Sequence, residues 1–96
     1  MSRKSGWTFV TNHAVVLIQV AQNPDITVRA IAEYAGITER ATHRILAALI
    51  QEGYVSRRRV GRNNYYFVNR TRPLRHPEMA HMEVGRLLNA LSREGT

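Results

Sequence analysis

Residues 26–68 read ITVRAIAEYAGITERATHRILAALIQEGYVSRRRVGRNNYYFV, and the glycines in this stretch punctuate it. Thr27 is placed to cap a short helix from Val28 to Ala35, which Gly36 ends. Thr38 is placed to cap a longer one from Glu39 to about Glu52, which Gly53 ends. After Gly53 the pattern changes to β-branched and aromatic residues: Tyr54 to Val60, then Asn64 to Val68. Gly61-Arg62-Asn63 between them supplies turn chemistry, so a β-hairpin is expected. Two helices joined by a tight glycine-containing turn form a helix-turn-helix pattern.

The second of these helices has two faces. At 100° per residue Thr42, Ile45, Leu46 and Leu49 fall together, the spacing of a side packed on a core. Arg40, Arg44, Ala47 and Gln51 fall opposite, with His43 flanking. Long donors near the helix start, with a small residue where a groove floor would come close, suit a helix that reads DNA. Arg40 and Arg44 can each present a fork to guanine O6 and N7, and His43 and Gln51 can reach bases or phosphates. A solvated helix face also carries arginines, so the neighbouring hairpin decides between the two. It carries Arg57, Arg58 and Arg59 in a row and Arg62 at its tip. Three consecutive like charges disfavour folding unless they are solvated or matched by an anion. A hairpin so loaded can track phosphates or enter the minor groove.

Outward from this stretch, Thr11 can cap a first helix that runs to about Asn23, where Pro24 stops it, with Val10 and Val15 as a hydrophobic staple. Val15, Val16, Leu17, Ile18 and Val20 make that helix apolar on nearly every side, so cover from two directions is expected. Residues 69–76 read as a linker, and Pro77 at N1 can open a last helix to about Ser92. Met79, Met82, Val84, Leu87, Leu88 and Leu91 give it a partial apolar stripe, which Gly85 weakens by roughly 1 kcal/mol. The expected fold class is α+β, mainly α with a small hairpin, in the order helix-helix-helix-strand-strand-helix. The expected organisation is a tail over 1–10, a DNA-binding domain over 11–68, a linker over 69–76 and a C-terminal helix over 77–96.

The chain has 96 residues and a formal net charge of +7. The excess is local: between Glu52 and Glu78 lie seven arginines and no acid, and the other seven basic residues are offset by the seven acids. Thirteen of the 14 basic residues are arginine, the side chain suited to planar, bidentate contacts with phosphate and guanine. With 44% hydrophobic residues the chain can bury roughly 60 to 65% of its extended surface, which excludes overall disorder. The absence of cysteine excludes a disulfide framework, a zinc ribbon and a thiol nucleophile, and fits a reducing, cytoplasmic compartment. No apolar run, Ala14 to Ile18 included, comes near the length that spans a bilayer, so no membrane partner is expected.

The segment from Ile26 to Val68 resembles the winged helix-turn-helix of transcriptional regulators of the MarR and ArsR type. The matching pieces are the IAEYAGIT helix and turn, the ERATHRILAALIQEGYV helix running into the first wing strand, and the RRRVGRNNYYF wing. The resemblance implies that Thr38, Glu39, Arg40, His43 and Arg44 face double-stranded DNA. It makes Arg57, Arg58, Arg59 and Arg62 wing contacts, and Arg29 a phosphate contact. It also implies a homodimer built from the first and last helices, with Val16, Val20, Met82, Leu87, Leu88 and Leu91 as interface material. Trp7 and Phe9 would extend that interface or cap the chain's own core.

No cofactor or metal is expected. His76 and His81 are five residues apart, about 140° on a helix, so with Glu78 and Glu83 they do not form the i, i+4 ligand pair that binds a metal. There is no phosphate-cradling loop, nucleophile elbow or spaced carboxylate pair, which excludes the common enzyme classes. A winged domain can instead serve RNA or a protein partner. Large apolar side chains on the outward stripe would mark the protein-binding case, and only Ile50 at its edge points that way. Tyr54, Tyr65, Tyr66 and Phe67 can stack on bases, or build the wing and its contact with the core.

Overall fold

The computed structural model describes residues 8–92. Three helices come first: α1 (Asn12–Gln22), α2 (Val28–Ala35) and α3 (Glu39–Gln51). The antiparallel strands β1 (Val55–Val60) and β2 (Asn63–Val68) follow. A single 3-10 turn, Pro77–Met79, then precedes α4 (Val84–Leu91).

The caps lie where the side chains dictate. Thr27 Oγ1 accepts from the Ala30 N–H at 3.1 Å and Thr38 Oγ1 from the Ala41 N–H at 3.0 Å, each meeting one of the donors that a helix start leaves without a partner. Thr11 opens α1 through its backbone alone, its carbonyl accepting from Ala14 and Val15. α3 closes in a Schellman motif, with the Tyr54 N–H on Leu49 O at 2.9 Å and the Gly53 N–H on Ile50 O at 3.1 Å. Gly53 sits at φ +85°, the left-handed conformation that this motif requires and that a side chain resists.

In the hairpin Val55 faces Val68, Arg57 faces Tyr66 and Arg59 faces Asn64; the alternate pairs are Ser56 with Phe67, Arg58 with Tyr65 and Val60 with Asn63. Asn63 therefore belongs to β2, and Gly61-Arg62 is a two-residue turn, one residue shorter than the sequence indicates. Opposed residues share a face, so the pairs that include Val55 and Tyr66 cover the core, and the alternate pairs point outward. Buried Val55 and Tyr66 lie on the inner face, and the Tyr66 N–H reaches Pro24 O at 2.8 Å, tying β2 to the α1–α2 connection.

The core collects Val16, Leu17 and Val20 of α1, Ile31 of α2, Ile45, Leu46 and Leu49 of α3, Tyr54, Val55, Tyr66, and Val84 and Leu88 of α4. Two expectations change here. The last helix does not start at Pro77. His76 Nδ1 accepts from the Glu78 N–H and Pro77 occupies N1, but this start supports only the single 3-10 turn. The chain then extends, because Leu74 N–H bonds Met82 O at 3.0 Å and Pro73 bridges Glu83. α4 begins where Val84 and Gly85 donate to Arg72 O and Arg70 O, both at 2.8 Å, so the turn that follows β2 supplies the acceptors for its first two N–H groups. Met79 falls outside any apolar stripe and is 49% exposed.

The other change concerns the proposed interface residues. Val16 and Val20 are 0% exposed and Leu88 4%, so all three are used by this chain's own core and have no surface to offer a second subunit. Met82 and Leu87 are half-buried, while Phe9 and Leu91 are exposed. Trp7 lies outside the described residues.

Candidate nucleic-acid interface

α3 presents the two faces that its periodicity requires. Thr42, Ile45, Leu46 and Leu49 are buried, and Arg40, His43, Arg44, Ala47 and Gln51 are exposed. Thr42 Oγ1 donates to Thr38 O at 3.0 Å, so the one hydroxyl on the buried face is satisfied. Ile50 is half-buried and packs against the core, which leaves the exposed stripe without a large apolar member. Thr38 and Glu39 stand at the helix start. The Thr38 hydroxyl accepts from Ala41 and keeps its own proton to donate, and the Glu39 carboxylate complements the positive end of the helix dipole. Arg29 is in a long ion pair with Glu33, 3.8 Å apart with both side chains largely exposed, a geometry weak enough for a phosphate to displace.

The three wing arginines divide between two faces. Arg57 and Arg59 lie on the inner side with Val55 and Tyr66, and Arg58 lies on the outer side beside Tyr65. All three are exposed, as is Arg62 in the turn. Arg59 Nε donates to Gly61 O at 3.2 Å, which draws its guanidinium toward the tip. Tyr54 and Tyr66, at 6% and 3% exposure, are core residues; among the hairpin aromatics Phe67, at 49%, is the open one.

Two arginines of the basic stretch have internal work that charge counting does not show. Arg70 donates to Asn89 Oδ1 and toward Gly85 O. Arg72 Nε donates to Glu52 O at 2.9 Å, with its guanidinium 6.0 Å from the centre of the Tyr54 ring. Nothing in the sequence separates them from the other arginines: residues 69–72 form a turn, with the Arg72 N–H on Asn69 O at 3.3 Å, and from it Arg70 reaches α4 while Arg72 reaches the end of α3. A groove of about 350 Å³ lies between α1, the end of α3 and α4, lined by Leu17, Leu49, Tyr54, Leu74, Val84 and Leu87, with His13, Glu52 and Arg75 also bordering it. Among the described residues no group of three His, Asp or Glu side chains could hold a metal ion, and no helix is long and apolar enough to cross a membrane.

Comparison with known proteins places this geometry. The model of the MarR family matches residues 8–63. Among solved structures, the predicted DNA-binding transcriptional regulator from E. coli aligns with a TM-score of 0.55 at 17% identity, over 80% of this chain and 74% of that one. IscR from T. potens aligns with a TM-score of 0.55 at 21% identity, over 93% of this chain and 64% of its own. This chain thus spans less than two thirds of the IscR chain. No curated protein matches. At such identities the two structures establish likeness of fold, and the family match, covering more than half of the 96 residues, establishes kinship. The chain belongs to the MarR family and is a DNA-binding transcription regulator.

Proposed function

We propose that this regulator binds double-stranded DNA sequence-specifically, with α3 in the major groove and the arginine-rich hairpin on the backbone and in the minor groove. The observation that carries the reading is the exposed stripe of Arg40, Arg44, Ala47 and Gln51 behind a Thr38-capped helix start, directly opposite the buried Thr42, Ile45, Leu46 and Leu49. Arg40 and Arg44 read guanine edges, and His43 and Gln51 add base or phosphate contacts. Thr38, Glu39 and Arg29 border the groove, while Arg57, Arg58, Arg59 and Arg62 hold phosphates. The protein acts in the cytoplasm, by binding rather than by catalysis, and uses neither metal nor cofactor.

The working unit is a homodimer. α1 contains no Asp, Glu, Lys or Arg, and its half-buried Val15 and Ile18 border a depression shared with the exposed Tyr34 and Leu91. An uncharged apolar surface on so basic a protein suits a second copy, because apolar contact there brings no like charges together. Selection of bound fragments from random duplex DNA at physiological salt tests both parts. A palindromic consensus with half-sites about one helical turn apart supports duplex reading by a dimer. No enrichment, together with tight binding of RNA, would replace this reading with the RNA one.

A further inference from the structure

We infer that Arg72 is a positioning residue for DNA binding: it sets the angle between α3 and the wing without touching DNA. The inference rests on the duplex-binding reading above. Its basis is the junction between the two DNA-facing elements, which is only Glu52, Gly53 and Tyr54 long. The Arg72 guanidinium lies over all three residues. Nε donates to Glu52 O at 2.9 Å, filling an acceptor that the end of α3 leaves open. The group packs where Gly53 has no side chain; a Cβ built there would stand 3.1 Å from Nε and 3.2 Å from Cζ. It then faces the Tyr54 ring at 6.0 Å, within the range of a cation–π contact.

The backbone around Arg72 is fixed from both sides. Asn69 N–H bonds Tyr54 O at 2.9 Å and the Tyr54 hydroxyl donates to Pro73 O, holding the segment against the root of the wing. Arg72 O accepts from Val84 at 2.8 Å, holding it against α4. A guanidinium planted on so short a junction resists its bending, because any change in the angle between α3 and β1 stretches the Glu52 bond or opens the packing on Gly53. Base contacts by Arg40 and Arg44 require the helix in register while the wing holds phosphate, so the angle enters the affinity for a cognate site.

A direct phosphate contact and a positioning role predict different salt behaviour. Removing a phosphate-binding arginine lowers the slope of log K against log salt by about 1 and weakens all duplexes alike. Arg72→Ala and Arg72→Lys are to be measured on a selected cognate duplex and on random duplex over a range of salt, at a temperature where thermal unfolding shows each variant fully folded. The expected result for Arg72→Ala is a loss of about tenfold or more on cognate duplex, little change on random duplex and an unchanged slope. Arg72→Lys, which keeps a donor for Glu52 O, is expected to recover most of the loss. Unchanged cognate affinity in Arg72→Ala, or an equal loss on both duplexes with a slope reduced by about 1, overturns the inference. Arg44→Ala measured alongside separates the two levels: if it leaves cognate affinity intact, the reading of α3 fails, whatever Arg72 does.

Discussion

Arg44 and Arg58 carry the same charge on different surfaces, and the difference sets what each contributes. Arg44 stands on the exposed stripe of a helix whose opposite side is locked into the core; in the proposed duplex complex this gives its guanidinium a defined approach to one base pair. Arg58 stands on the outer face of a two-stranded hairpin, where the proposed complex gives it a phosphate as partner. Arg44→Ala, like Arg40→Ala, is expected to cost about 1–3 kcal/mol on a cognate site and to relax specificity at one position. Arg58→Ala is expected to weaken cognate and random duplex equally. Titrations of both duplexes with the three variants check this, and equal losses throughout would refute the division of labour. Gly85 gives a stability test at the same scale. A methyl group there would stand 2.9 Å from Arg70 O and from Arg70 Cβ, and a backbone oxygen cannot rotate away. Gly85→Ala gains about 1 kcal/mol of helix propensity but meets about 1–3 kcal/mol of overpacking, so a lower melting temperature is expected. From the sequence alone this glycine reads as a simple weakness in a helix; the nearby backbone that requires it comes from a residue 15 positions earlier.

Elements whose limits are set by local chemistry were legible before the fold was known. Thr27, Thr38, Gly36 and Gly53 are short-range signals, and α2 and α3 begin and end on them. The buried and exposed sides of α3 were equally legible, because a helix with one apolar face leaves little choice about which way it packs. The last helix was not. Its limits depend on bonds from Val84 and Gly85 to Arg72 and Arg70, and a periodicity read through Met79 and Met82 has no access to those acceptors. The roles of Arg70 and Arg72 were hidden for the same reason: in a run of seven arginines, the ones with internal partners resemble the rest. The caps offer a clean test at this scale. Thr27→Ala and Thr38→Ala each remove one cap and are expected to lower stability by about 0.5–2 kcal/mol in denaturant titrations. Only Thr38→Ala is expected also to weaken cognate duplex binding under conditions where both variants are folded, because the turn it loosens carries Arg40.

For the whole molecule, the excess charge and the proposed reading of DNA sequence belong to different parts of the surface. If about four arginines per subunit meet phosphates, log K against log salt should fall with a slope of about −3 to −4 per subunit, and more steeply for a dimer. Affinity measured from low to moderate salt checks this, and a flat dependence would exclude the hairpin from the contact. Sedimentation at tens of micromolar checks the dimer; a monomer there would leave the Val15, Ile18, Tyr34 and Leu91 surface without its proposed occupant.

α4 supplies Val84 and Leu88 to the same core that α1 and α3 build, and Gln22 Nε2 donates to Ser92 Oγ at 3.1 Å across the join. The last pieces of the DNA-binding head therefore leave the ribosome about 20 residues after the wing is complete. A nascent chain that already displays Arg40, Arg44 and the whole hairpin still lacks two members of its core. Its interior closes only when Val84 and Leu88 have joined it, so the surface that α3 and the hairpin present is supported in full only after the last helix docks.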